Sequence, residues 1–283
     1  MTSASVVKLG GVPMAVAPWI VSDELWGLVE PLLPVKERRF RYPGRKRLPD
    51  REALQGILFV LHTGISWTHL PAELGFGSGV TCWRRLDEWQ RAGVWERLHE
   101  LLLARLRAAG ELEWSRAVAD ASHVQAKKGA PRRARARLIE PETAPSTISS
   151  LTRPGSRSPG RSPAATATTA QLIPLVDRVP PVRGKVGRPR RRPQRISADR
   201  AYDYPSHRRQ LRRRGIVPEI ARRKTEHGSG LGRYRWVVER TFAWLHQFKR
   251  LLVRYDRRGE IHEAFLALGC CLVCYRRLRN TSL

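Results

Sequence analysis

The hydrophobic period of this chain changes once, and that change limits what it can fold into. From residue 22 to residue 109 apolar side chains recur every three to four positions, the spacing of helices packed on one face. From Arg116 to His123 (RAVADASH) large and small residues alternate, the spacing of a strand. Ser22 followed by Asp23 and Glu24 opens the first helix, since a hydroxyl cap and early acids suit the positive helix end. Leu25, Trp26, Val29, Leu32 and Leu33 form its stripe, and Pro34 closes it. A second helix runs from Asp50 to His62. A short one lies near 70–74, then come a glycine-rich turn and helices over Val80–Arg91 and Trp95–Ala109.

Beyond the first strand, Gln171–Val179 reads as a short helix and Ile196–Asp199 as a strand. Ser206–Arg214 follows as a basic helix, Ile216–Ile220 as a strand, and 231–249 and 259–279 as helices. The expected class is therefore α/β in the α+β sense. A flexible N-terminus over 1–21 precedes an all-helical, helix-turn-helix-like DNA-binding domain over 22–110 and a mixed-sheet domain over 111–283.

Charge narrows the function. The chain carries 53 Lys and Arg against 25 acids, a formal net charge of +28, which self-repulsion disfavours unless a polyanion balances it. Nucleic acid is the expected partner. At 41% hydrophobic residues the chain can still build a core, which excludes a wholly disordered basic tail. Four cysteines suit a reducing cytosol rather than a disulfide scaffold, and Cys271 and Cys274 read as core. The longest apolar run, Ala264 to Cys274, is shorter than the roughly 20 residues a membrane span needs.

Three acids stand out by placement. Asp120 sits mid-strand among apolar neighbours, where a carboxylate is costly unless paired or metal-bound. Asp199 ends a strand in ISADRAYD, and Glu239 lies inside the helix RYRWVVERTFAWLHQF, on a stripe with Arg235, Phe242 and His246. Any one alone reads as an ordinary charged residue. Together, in so basic a chain, they read as a metal site: hard oxygen ligands suit Mg²⁺ (or Mn²⁺), and two such ions can drive an in-line phosphoryl displacement. For DNA contact the candidates are Thr81, Arg84 and Arg85, early on the second helix of the helix-turn-helix-like pair, and the linker arginines Arg190, Arg191 and Arg192.

The blocks APWIVSDELWGLVEPLLP, DREALQGILFVLHTGISW, VADASHVQAKKG, ISADRAYD and RYRWVVERTFAWLHQFKRL resemble bacterial insertion-sequence transposases of the DDE type, over roughly 14–130 and 171–280. The resemblance implies a ribonuclease-H-like catalytic domain in which Asp120, Asp199 and Glu239 hold divalent metal. It also implies cleavage at terminal inverted repeats, strand transfer into target DNA, a homo-oligomer on DNA and a cytoplasmic, nucleoid-associated location in a bacterium. Arg235 would orient Glu239 or touch phosphate. Where the family signature has a Tyr and a Lys, this chain has Gly232 and His246, leaving His246 the phosphate contact on that stripe. The alternative is a non-catalytic, repressor-like DNA-binding remnant acting through the helical half.

One segment departs from this pattern. Between residues 130 and 170 Arg, Ala, Pro, Ser and Thr dominate, and Leu138, Ile139, Ile148 and Leu151 are scattered. It is expected to be a disordered basic insert, leaving the sheet two strands short and the catalytic half poorly folded or inactive. Suitable codons for Arg133 to Thr169, re-read one base earlier, can give an apolar run HHLIADA, a turn and VPLAGTL, which are strand-like. Two compensating frameshifts near 131 and 170 would explain the segment. Sequencing the encoding DNA is expected to reveal that strand pair in the shifted frame; a locus without it overturns the explanation.

Overall fold

In the computed structural model the described residues are 17–37, 40–41, 44, 46–112, 114–123, 125–126, 134–139, 149–152, 171–223 and 240–281. The helical half begins with α1 (Asp23–Val29), whose Ser22 hydroxyl accepts the Leu25 N–H at 3.2 Å. There follow α2 (Asp50–Thr63), α3 (Gly79–Arg91), capped by Ser78, and α4 (Val94–Ala108). The short helix expected near 70–74 is a single 3₁₀ turn, Ala72–Leu74. Pro71 before it and Gly75 after it, at φ 73°, leave no room for a second turn.

Five strands make the main sheet: β1 (Arg116–His123), β3 (Ala134–Ile139), β4 (Ser149–Thr152), β5 (Arg195–Ala198) and β6 (Val217–Ile220), in the order β4-β3-β1-β5-β6. β3 and β4 pair antiparallel, β3 and β1 likewise, while β5 and β6 run parallel to β1 and to each other. β3 and β4 correct the expectation of a sheet two strands short. A ladder is made by backbone groups that any side chain leaves free, and β1 offers an edge for ARARLI to pair along, from His123↔Ala134 to Val118↔Ile139. Both flanks of β1 are thereby hydrogen-bonded.

Helix α5 (Leu172–Asp177) buries Leu172, Leu175 and Val176, and α6 (Pro205–Arg213) buries His207 and Leu211. After helical residues 240–246 (α7) come α8 (Lys249–Leu252) and β7 (Val253–Arg254), which pairs with β2 (Gln125–Ala126). The described chain ends in α9 (Gly259–Thr281).

α9 is the longest helix among the described residues, and it is buried from Ile261 to Cys274 apart from Glu263 and Ala267. A helix apolar on all sides needs neighbours all round. It packs on α3 and α4, far back in sequence, so the helical half and the chain's end share one continuous core. Phe265 stacks on Trp67 with centroids 5.5 Å apart, and the Cys271 thiol donates to the Trp95 carbonyl at 3.5 Å. Polar ties follow the same seam. Arg250, itself buried, donates to the Ile65 carbonyl at 2.9 Å and pairs with Asp256 at 3.2 Å, while Arg258 reaches Asp87 at 3.0 Å. All four cysteines are buried, and none is in a disulfide. No helix among the described residues is long and apolar enough to cross a membrane.

A fragment ending at residue 110 should therefore keep helical content but lose its cooperative melt and bind a hydrophobic dye. The faces of Leu98, Leu102 and Leu106 bury themselves within a core that α9 shares. A sharp calorimetric transition in that fragment would overturn this.

Candidate functional site

The site starts from small residues. Ala117, Val118 and Ala119 on β1 and Ile196, Ser197 and Ala198 on β5 are buried, and the two strands lie parallel with Ala119 opposite Ala198. Asp120 is the next residue on β1 and Asp199 the next after β5, so parallel register brings the two main-chain positions side by side at one end of the sheet. Neighbouring strands run only about 4.8 Å apart.

Asp199 is exposed and extended (φ −68°, ψ 162°), and its carboxylate accepts the Arg200 N–H, capping the 3₁₀ turn Arg200–Tyr202. The buried Tyr202 pins that turn. Among the described residues Asp199 has no ion-pair partner, notable in a chain with 53 cations.

Its neighbour in ISADRAYD is different. Asp203 accepts from the Arg223 N–H at 2.9 Å and from Arg208 Nε at 2.8 Å. The Arg223 hydrogen bond, against some burial and with help from the Arg208 pair, holds its carboxyl below the usual range. Asp203 is thus an anchor, and Asp199 is the acid left open.

At the other end of the pairing, Arg116 and Arg195 are register partners, two like charges on adjacent strands. Glu219 on β6 resolves that conflict. It pairs with Arg116 at 3.2 Å and Arg195 at 3.0 Å and accepts from the Ser197 hydroxyl at 3.0 Å. Burial pushes its carboxyl up, but the bonds from Arg195 and Ser197 and the nearby Arg116 charge outweigh that and hold it below 4.5.

The remaining sequence candidates divide. The side chain of Asp120 and all of Arg235 and Glu239 lie outside the described residues. Among the described residues no three His, Cys, Asp or Glu groups gather as a metal site. Arg84 is exposed on α3, and the half-buried Thr81 shares a 2.9 Å hydroxyl bond with Ser78. Arg85 is a correction: it is 5% exposed, pairs with Asp50 at 3.3 Å and donates to the Leu48 carbonyl at 3.2 Å, so it ties α3 to α2. Its position one residue from Arg84 rotates it by about 100° into the interface.

Arg190, Arg191 and Arg192 are exposed. The Arg190 main chain bridges to Val182, and Arg192 donates to the Arg214 carbonyl at 3.2 Å. His246 is exposed on α7 and stacks with Phe242 at 6.2 Å. The sequence reading missed the roles of Asp203 and Glu219. For Asp203 a signal was present, an acid starting a basic helix; for Glu219 there was none short of the register itself.

Two family models match the chain: "Putative transposase of IS4/5 family" over residues 21–99 and "Transposase DDE domain" over residues 160–274. The chain is 63% identical over 110 residues to a "Putative transposase for insertion sequence element IS402" from Burkholderia cepacia, covering 39% of this chain and 52% of that protein. It is 55% identical over 141 residues to an "Insertion element IS402 uncharacterized 16.2 kDa protein" from the same organism, covering 50% of this chain and 96% of that one. It thus spans about half the length of the first relative and nearly all of the second. A chain from the "CryoEM structure of simian T-cell lymphotropic virus intasome in complex with PP2A regulatory subunit B56 gamma" aligns at TM-score 0.33 and 14% identity, covering 55% of this chain and 48% of that one. That likeness is too low to carry the fold.

A helical half, a mixed sheet and these matches place the chain among insertion-sequence proteins with a DDE transposase domain, a class that depends on divalent metal. This chain belongs to the IS4/5 family.

Replacing Glu219 by Gln should leave Arg116 and Arg195 uncompensated and cost about 1 kcal/mol of stability. A carboxyl held below its ordinary value contributes stability that is complete above that value and disappears as pH falls through the lower folded one. The gap between wild type and Glu219→Gln should therefore be full at about pH 7 and shrink as pH drops below 4.5. A gap independent of pH in parallel thermal melts would show that Glu219 does not act through its charge.

Proposed function

We propose that this chain carries out metal-dependent DNA strand cleavage and strand transfer at the ends of an insertion sequence, with Asp120, Asp199 and Glu239 as the acidic set. The observation that carries the reading is the parallel register of β1 and β5, which sets Asp120 beside Asp199 from distant parts of the sequence. The strand order β4-β3-β1-β5-β6, with β3 antiparallel and β5 and β6 parallel to β1, supports a ribonuclease-H-like domain.

The donors fit a hard cation. Asp199 is exposed and without a cationic partner among the described residues, and its neighbour Asp203 absorbs the local arginines instead. Carboxylate oxygens of this kind suit Mg²⁺ or Mn²⁺ and not the thiols and imidazoles that mark softer metals. Two bound ions would supply activation of the attacking hydroxyl and stabilisation of the leaving oxygen.

The chain's own residues do the rest. The Arg200–Tyr202 turn holds the Asp199 carboxylate at the strand end, and the hydrogen-bonded pairing of β1 with β5 fixes the main-chain positions of Asp120 and Asp199 on neighbouring strands. Thr81, Arg84, Arg190, Arg191, Arg192, Arg235 and His246 would hold DNA phosphates and grooves, with an affinity that falls steeply as salt rises. Two element ends must meet, so the working form is a homo-oligomer on DNA, in the cytoplasm at the nucleoid.

The purified chain with duplexes ending in its inverted repeat should show Mg²⁺-dependent nicking. Asp120→Asn and Asp199→Asn should each lower it by about 10³-fold or more while leaving duplex binding in place. A folded wild-type chain that binds the ends without nicking them, or an Asn variant that cuts normally, would overturn the reading in favour of a DNA-binding protein without chemistry.

A further inference from the structure

Helix α6 buries His207 and Leu211 one turn apart, which turns its arginines outward. Arg208, Arg209, Arg212 and Arg213, with Arg222 and Arg223 from the chain just beyond β6, line an open cleft of about 770 Å³ whose remaining wall includes Asp203. Two of these arginines are fixed. Arg208 is held by Asp203 and by the Ile220 carbonyl, each at 2.8 Å. Arg223 donates to the carbonyls of Arg200 at 3.2 Å and Ala201 at 3.0 Å, and lies over the Tyr204 ring at 4.3 Å. Arg209, Arg212 and Arg213 are exposed, and their guanidinium groups have no ion-pair or hydrogen-bond partner among the described residues. Gathered like charges repel, and Asp203, the one acid among the described residues of the cleft, is already committed to Arg208 and Arg223.

We infer that this cleft seats the sugar–phosphate backbone of the DNA strand that passes the Asp120–Asp199 end of the sheet. The inference rests on the transposase reading for the identity of the strand. The chain joins the cleft to that end: β5 leads to Asp199, then to the Arg200–Tyr202 turn, whose carbonyls Arg223 holds, to Asp203 and directly into α6. Guanidinium forks match phosphate oxygens bidentately, whereas a single metabolite would need a closed pocket with apolar walls. Positions 208 and 212, and likewise 209 and 213, lie about 6 Å apart along the helix axis. That is on the scale of the separation between neighbouring phosphates along one strand. The Asp203 anchor sets the cleft's rigid side, and the unpartnered arginines supply its adjustable one.

The test measures binding of the full chain to a labelled duplex lacking the inverted repeat, by fluorescence anisotropy across a salt series. In the triple variant Arg209→Gln, Arg212→Gln, Arg213→Gln the slope of log affinity against log salt should become shallower by about 2.7, at about 0.9 per lost phosphate contact. Arg212→Gln alone should shift it by about 0.9, which guards against a triple variant that folds badly. The corresponding triple Lys variant should keep most of the wild-type slope, and Arg105→Gln with Arg257→Gln and Arg279→Gln, equally exposed elsewhere, should keep it too. A Gln triple with the wild-type slope, or a control triple that loses as much, overturns the inference. Binding is read without cleavage, so a shallower slope in a chain that never nicks DNA would sustain the cleft and sink the transposase chemistry, and the reverse result would do the opposite.

Discussion

A helix with no polar side has to be surrounded, and α9 imposes that requirement on the whole molecule. Its buried stretch from Ile261 to Cys274 is apolar apart from His262 and the half-buried Glu263, so other elements must cover it. Helices α3 and α4 do so, and the bond between Cys271 and Trp95, the Phe265–Trp67 stack and the Arg250–Asp256 pair are consequences of that closure. Arg250 can be buried because it meets both a carboxylate and the Ile65 carbonyl; a buried guanidinium lacking either would be costly. The end of the chain therefore acts as the keystone of its beginning, and the two halves marked by the change in period are not mechanically separate.

On that frame the sheet solves an electrostatic sorting problem. A chain with a net charge of +28 must keep a few carboxylates from being claimed by its own arginines if they are to bind anything else. Glu219 and Asp203 are claimed, one by Arg116 and Arg195, the other by Arg208 and the Arg223 backbone. Asp199 sits four residues before Asp203, yet among the described residues its carboxylate meets only a backbone N–H. The difference is one of direction. Asp199 ends a strand and caps a turn, whereas Asp203 faces the start of α6 and the return of the chain after β6.

Much of this was legible in the sequence, and the failures share a cause. Local signals were reliable: the Ser22 cap, the α3 and α4 spans and the limits of β1 follow from capping chemistry and period alone. What needs a partner was not legible. ARARLI looked structureless because its residues are poor strand formers, but its pairing is decided by the edge of β1. Arg85 looked like a surface cation until the α2 interface gave it Asp50 and the Leu48 carbonyl. The apolarity of α9 announced burial without saying against what, and the nearness of Asp120 to Asp199 became visible only with the register of two short strands.

The same distinction explains where the arginines ended up. Those with a job inside the protein are each matched to a carboxylate or a carbonyl within hydrogen-bond range, as Arg85, Arg208, Arg223 and Arg250 are. Folding has no use for the remainder on α6: burying His207 and Leu211 alone would hold the helix down, and glutamine or lysine would serve as well at the exposed positions. Guanidiniums placed in register along a rigid helix, next to the sheet end that carries the acids, put positive charge where a phosphate chain approaching those acids would run. Within one short stretch, from Asp199 to Arg213, the fold leaves Asp199 without a cationic partner among the described residues, commits Asp203 to Arg208 and the Arg223 backbone, and leaves Arg209, Arg212 and Arg213 exposed.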